Sequence, residues 1–152
     1  IVTERVAVLM GSPSDSDRMK PATEILEKFG VDADTRVMSA HRTPKDVADF
    51  ASSAIEDGFS VIICGAGMAA HLAGAVAANT ILPVIGVPLS GSAVSGFDSL
   101  LATVQMPKGI PVATVAIDGA MNAGLLAIQI LALSEPKYIK LLESHREEMA
   151  SR

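Results

Sequence analysis

Val37-Met38-Ser39-Ala40-His41-Arg42-Thr43-Pro44 decides the fold of this chain. Within this one stretch an apolar strand ends, a polar turn carries a histidine and an arginine, and a helix begins. Thr43 stands at an N-cap position and Pro44 at the first helical position, where proline's fixed φ suits the helix and its missing N–H loses nothing. The stretch is therefore a strand-to-helix junction. In an open parallel sheet such junctions line the crevice at the carboxyl ends of the strands, where ligands bind. An imidazole and a guanidinium placed there are equipped to move a proton and to hold a phosphate.

The same alternation continues in both directions. Upstream, Val31 to Met38 is a strand with a polar first half, as expected near a sheet edge. Before it lie a valine-rich strand, Arg5 to Met10, a turn from Gly11 to Asp15, and a helix from Ser16 to Phe29. In that helix Met19, Ala22, Ile25, Leu26 and Phe29 recur at helical spacing, and Gly30 closes it. Downstream, a helix from Pro44 to about Asp57 precedes a third strand, Ser60 to Cys64, apolar enough to be interior. A glycine-rich turn, Gly65 to Leu72, leads into a small-residue helix reaching about Asn79. Leu82 to Val87 is the fourth strand, with Pro83 tolerable near its start. A glycine- and serine-rich loop, Pro88 to Gly96, precedes a short helix from Phe97 to Val104. After the Gln105–Gly109 turn come a fifth strand, Pro111 to Ile117, and an apolar helix, Ala120 to Leu133. A charged helix over about 135–151 ends the chain, with Tyr138, Leu141, Leu142 and His145 near one side. Five alternations predict an α/β, three-layer, flavodoxin-like fold: a five-stranded parallel sheet of order 2-1-3-4-5 with helices on both faces. One domain over 1–152 accounts for the whole chain.

Composition narrows the function. A net charge of −5 and an aromatic content of 3% argue against nucleic acid, which calls for a basic face and stacking rings. The single cysteine, Cys64, excludes an internal disulfide and fits a reducing compartment. No apolar run approaches a membrane span of about 20 residues, and Ile1 to Arg5 lacks the features of a signal peptide; a cytoplasmic protein is expected. The three histidines, His41, His71 and His145, have no i, i+4 partner or nearby cysteine, so no metal site is expected. A mean hydropathy of +0.41 is high for a small monomer. With the all-round apolar Ala120–Leu133 helix it predicts a homo-oligomer with part of that helix in the interface.

Three strand ends carry candidate chemistry, and the proposed strand order makes them neighbours. In the first, Ser12 and Ser14 offer hydroxyls and amides at a helix start, where the helix dipole favours an anion; Ser14 or Asp15 could equally be simple caps. Asp15 could accept hydrogen bonds from sugar hydroxyls. In the second, His41 belongs to the residue type that titrates nearest neutrality, Arg42 is a phosphate fork, and Ser39 flanks both. In the third, Gly65-Ala66-Gly67-Met68-Ala69-Ala70 fits G-x-G-x-x-A, but the acidic residue expected about 20 positions on is missing. Its glycines either permit tight packing or leave room for a flat ring or CO₂. His71 is either a second polar wall or a core histidine.

Met10-Gly11-Ser12-Pro13-Ser14-Asp15, Ser39-Ala40-His41-Arg42-Thr43-Pro44, Gly65-Ala66-Gly67 with Ala69-Ala70-His71-Leu72, and Gln105-Met106-Pro107-Lys108-Gly109-Ile110-Pro111-Val112 together resemble the PurE family of purine biosynthesis over nearly the whole chain. The resemblance implies an N5-carboxyaminoimidazole ribonucleotide mutase activity. That reaction moves a carboxylate from the exocyclic nitrogen to the ring carbon by decarboxylation and recarboxylation, with no metal or organic cofactor. It implies an octamer with sites near subunit contacts. By motif it makes His41 the proton-transfer residue and Ser12, Asp15 and Arg42 nucleotide-binding; Ser14, Ser39, Gly67 and His71 match further pocket positions. Met68 stands where the family usually has glycine, and Ala73 where it has proline. Lysine after the histidine is more usual in the branch that carboxylates aminoimidazole ribonucleotide directly with CO₂, so Arg42 favours the mutase. A non-catalytic nucleotide- or flavin-binding protein of the same fold is the alternative of another class.

Overall fold

The computed structural model describes residues 4–152; Ile1 to Thr3, on which most of the expectation about a signal peptide falls, lie outside the described residues. Five parallel strands, β1 (Arg5–Met10), β2 (Asp32–Val37), β3 (Phe59–Gly67), β4 (Val84–Leu89) and β5 (Ala113–Thr114), form one sheet of order β2-β1-β3-β4-β5. The helices are α1 (Ser16–Lys28), α2 (Pro44–Ser53), α3 (Leu72–Ala77), α4 (Phe97–Val104), α5 (Ala120–Ala132) and α6 (Lys137–Ala150). The predicted order and the helix layers on both faces are those observed.

Successive residues of a strand face opposite sides, and the core divides accordingly. Val6, Val8, Val61, Ile63, Ile85 and Val87 meet α1, α5 and Tyr138 of α6 on one face. Ala7, Leu9, Ile62 and Cys64 meet Val47, Phe50 and Ala51 of α2 and Leu72 and Val76 of α3 on the other. Strands apolar on both sides must be interior, as β1, β3 and β4 are. The edge strand β2 is polar instead: Arg5 and Arg36 both pair with Asp34, and such charges discourage edge-to-edge pairing.

Several boundaries differ from the sequence reading. The fifth strand shrinks from Pro111–Ile117 to two residues. Beyond them only single bonds follow the strand, from Val115 N–H to the Gly86 carbonyl and from Asp118 N–H to the Pro88 carbonyl. Both carbonyls face β5, so the N–H that Pro88 lacks is missing on that side, and the ladder cannot continue. The third strand lengthens to Gly67, because β4 stays paired beside it as far as Gly67 opposite Leu89. The fourth strand shifts two residues on, to Val84–Leu89; α2 ends at Ser53 in a run of turns, and α3 stops at Ala77.

The apolar circumference of α5 is largely covered inside the subunit. Ala123, Gly124, Ala127, Ile128 and Leu131 are buried, and α1 approaches so closely that a Cβ on Gly124 would lie 2.3 Å from Ile25 Cγ2. Of the exposed large apolar side chains, four fall together on α4 and the loop before it, where Val94, Phe97, Leu101 and Val104 are 44–58% exposed.

Candidate active site

The chain leaves β1 for β2 on one side of the sheet and reaches β3 on the other, so a topological switch point falls between β1 and β3. Met10 and Gly65 are paired there, and the Gly11 N–H donates to the Gly65 carbonyl at 3.3 Å. The three turns singled out from the sequence meet above this point. An inner hollow of about 100 Å³ is lined by Gly11, Ser12, Asp15, Ser39, Ala40, His41, Arg42, Ala66, Gly67, Ala69, His71 and Leu72. It adjoins an outer hollow of about 310 Å³, which shares Ser12, Asp15, Arg42 and Gly67 and adds Ser14, Arg18, Met68, Ser90, Gly91 and Ser92. All eight residues picked as candidates line one or the other. A larger hollow of about 620 Å³ at the opposite end of the strands, between Ala51–Ile55, Ala77–Leu82 and Gly109–Pro111, holds no titratable side chain and is not a place for proton chemistry.

The His41 turn is built from its own hydroxyls. Ser39 N–H donates to Thr43 Oγ1 at 2.8 Å, and Thr43 N–H and Oγ1–H donate back to the Ser39 carbonyl. Ser39 Oγ accepts from the backbone N–H groups of His41 (3.3 Å) and Arg42 (3.0 Å). Thr43 thus holds the cap position without capping α2 through its side chain; its hydroxyl closes the turn instead. Ser39 thus fixes His41 and Arg42 through their backbones. In the first turn Ser12 Oγ accepts from the Ser14 N–H at 3.3 Å and bonds Ser14 Oγ at 2.9 Å. Ser12 therefore caps a short 3₁₀ turn, Pro13–Asp15, that runs into α1; Asp15, one of the two residues suggested as the helix cap, stands at the N-cap position of α1 but makes no side-chain capping bond.

His71 is an exposed member of the site, not a core histidine. Its Nδ1 lies 2.7 Å from His41 Nε2, with the rings edge to face at 78° and their centroids 4.8 Å apart. One nitrogen donates and the other accepts, so the tautomer of one ring fixes that of the other. Gly67 faces no protein atom closer than 3.5 Å to the Cβ it lacks, so the space freed there belongs to the hollow. Met68 adopts φ +52°, the left-handed region that glycine occupies without strain, and its exposed side chain walls the outer hollow. Ala73 is buried in the first turn of α3, which begins at Leu72 without help from a proline. Cys64 is buried and its thiol pKa is pushed upward by desolvation, so it is no nucleophile. Among the described residues no three His, Cys, Asp or Glu side chains gather as metal ligands, and no helix is long and apolar enough to cross a membrane.

Asp15 is held above the usual carboxylate range by burial, against the opposing pull of Arg18, the Ser12 backbone and Arg42. A carboxyl with a raised folded pKa favours the native state while protonated, and that contribution is lost as pH rises through its folded value. The ionised Asp15 is therefore a stability cost accepted at the site. Asp15→Asn is expected to raise the melting temperature at neutral pH. The gain should vanish below the ordinary carboxylate range, as thermal melts across pH would show; a gain unchanged at all pH values would contradict the assignment.

The sequence reading missed Arg18 and the Ser90–Ser92 wall. Arg18 lies three residues after Asp15 and hence on the same helix face. The fourth strand end obeys the same crevice rule as the first three, but its loop had been read only as a connection.

The profile of the AIR carboxylase family matches residues 5–152. N5-carboxyaminoimidazole ribonucleotide mutase of Pyrococcus abyssi is 54% identical over 145 residues, covering 95% of this chain and 83% of its own. The protein of the same name from Vibrio cholerae is 56% identical over 143 residues, covering 93% of this chain and 89% of its own. Among solved structures, Treponema denticola PurE superposes with a TM-score of 0.88 at 28% identity, covering 97% of this chain and 92% of that one.

Proposed function

The chain belongs to the AIR carboxylase family and acts as a mutase, an isomerase of purine biosynthesis; from that premise we propose how its site moves the carboxylate of N5-carboxyaminoimidazole ribonucleotide. The observation that carries the proposal is the His41–His71 hydrogen bond on the wall of a hollow only about 100 Å³ in volume. The substrate's N–C bond to the carboxylate breaks, releasing CO₂ as the exocyclic nitrogen takes a proton from His41. The ring carbon then attacks the retained CO₂, and the proton it loses returns to His41. Bonds and protons balance without a co-reactant. His71 fixes the tautomer and orientation of His41 through their bond. The small hollow keeps CO₂ beside its acceptor, and such confinement is worth up to roughly 7–11 kcal/mol of the barrier. Arg42 and the Ser12–Ser14 turn hold the phosphate, and Asp15 the ribose hydroxyls, so that remote binding energy orients the ring.

The assay is carboxylate migration by the purified protein without ATP or added bicarbonate. Conversion that excludes labelled CO₂ from solution is expected. Turnover only of aminoimidazole ribonucleotide with CO₂ would make the protein a direct carboxylase, and binding without turnover would make it a nucleotide carrier.

We further propose a homo-oligomer, an octamer, in the cytoplasm. Its support is the α4 face: Phe97, Leu101 and Val104 recur at spacings of four and three, so one side of the helix presents apolar groups to water. Light scattering should give a multiple of 15.7 kDa; a monomer at micromolar concentration would remove the proposal.

A further inference from the structure

We propose that Arg18 is a second phosphate-binding guanidinium of this site, aimed into the outer hollow by Asp118 and the Ser90–Ser92 loop; this rests on the ribonucleotide reading above. Arg18 and Arg42 line the same hollow of about 310 Å³, together with the hydroxyl-bearing residues Ser12, Ser14, Ser90 and Ser92. Neither arginine side chain donates a hydrogen bond to another described residue. Two guanidinium forks and several hydroxyls, with one carboxylate (Asp15) among them, suit a phosphate monoester dianion.

The placement of Arg18 is built. Its Nε lies 3.9 Å from Asp118 Oδ1, which leaves the two terminal nitrogens turned toward the loop. The Asp118 carboxylate is anchored in turn, accepting from Ser90 N–H at 2.9 Å and Ser90 Oγ–H at 2.5 Å. Asp118 keeps φ +58° to do so, a conformation that few non-glycine residues hold. Gly91, at φ +109°, provides the clearance: a Cβ there would lie 3.2 Å and 3.5 Å from the two terminal nitrogens of Arg18. Asp118 is thus a positioning residue that ties the end of β4 to α1 across the mouth of the hollow, while the guanidinium it steers keeps its donors for a ligand.

The test titrates the intact protein with ribose 5-phosphate and with ribose, by calorimetry, in the wild type and in Arg18→Gln, Arg18→Lys and Asp118→Asn. Arg18→Gln should lose affinity for ribose 5-phosphate about 10-fold without changing the response to ribose, and Arg18→Lys should restore part of it. In turnover, KM should rise about 10-fold, with kcat at saturation falling by less, as for an interaction made equally in the ground and transition states. Asp118→Asn should shift affinity in the same direction, by less. Unchanged discrimination between the two sugars in Arg18→Gln, with the fold intact by circular dichroism, overturns the proposal. The titration does not depend on where a carboxylate moves, so a failed migration assay with intact Arg18-dependent binding counts against the mutase reading alone.

Discussion

His41→Asn is expected to lower kcat for carboxylate migration by about 10²–10⁴-fold, the range that one positioned acid–base group contributes. The melting temperature should hardly move. His41 is exposed, and its only side-chain hydrogen bond among the described residues is to His71. Asparagine keeps a polar side chain of similar length near the backbone but cannot carry a proton between the exocyclic nitrogen and the ring carbon. A double variant, His41→Asn with His71→Asn, should be little slower than His41→Asn, because residues acting as a unit are non-additive. Stopped assays at saturating substrate measure both. Full turnover by His41→Asn would end the proton-transfer assignment, and multiplicative losses would separate the two imidazoles.

The second large effect is on the scaffold beneath the site. Gly65 stands where β3 passes under the start of α1, and a Cβ there would fall 2.2 Å from Met19 Sδ, 2.8 Å from its Cε and 3.0 Å from its Cγ. Met19 is fully buried, so its chain has little freedom to swing aside. Gly65→Val should therefore push α1 from the sheet, at the usual overpacking cost of about 1–3 kcal/mol. In a domain of this size that lowers the melting temperature by roughly 2–4 °C per kcal/mol. The displaced helix carries Arg18 and continues directly from the turn that holds Ser12 and Asp15, so KM for the ribonucleotide should rise along with the loss of stability. Scanning calorimetry and steady-state kinetics on one preparation test the link. A destabilised protein with an unchanged KM would show that α1 accommodates valine without moving its first turn.

These two cases mark how far the residues could be read unaided. Gly65 stood open between a ligand-facing turn and tight packing of helix on strand, and it is the packing that holds: it is a strand residue whose missing side chain makes room for Met19. His71 was balanced between core and site because one histidine in a short, small-residue segment has no periodicity to assign its face; its partner lies 30 positions away in sequence. Arg18 carried no motif at all. Its role depends on Asp118, 100 positions away in sequence, and Ser90, 72 positions away, which come near it only because β4 ends above α1.

Local chemistry was enough for much else. Alternating apolar strands and amphipathic helices dictated a parallel sheet, since only crossovers bury both faces of β1, β3 and β4, and that sheet dictated a common rim for the first three turns. The order 2-1-3-4-5 was the expectation that a flavodoxin-like arrangement offers five such strands, while the candidates on those turns and the cap position of Thr43 followed from propensity, period and sterics, which act within a few residues. What the tertiary structure alone decided was which groups touch: the histidine pair, the Ser39 hydrogen bonds to the backbones of His41 and Arg42, the halt of β5 opposite Pro88, and the second guanidinium over the pocket. Contacts between distant segments depend on packing distances of a few tenths of an ångström, which no pattern within a single segment encodes.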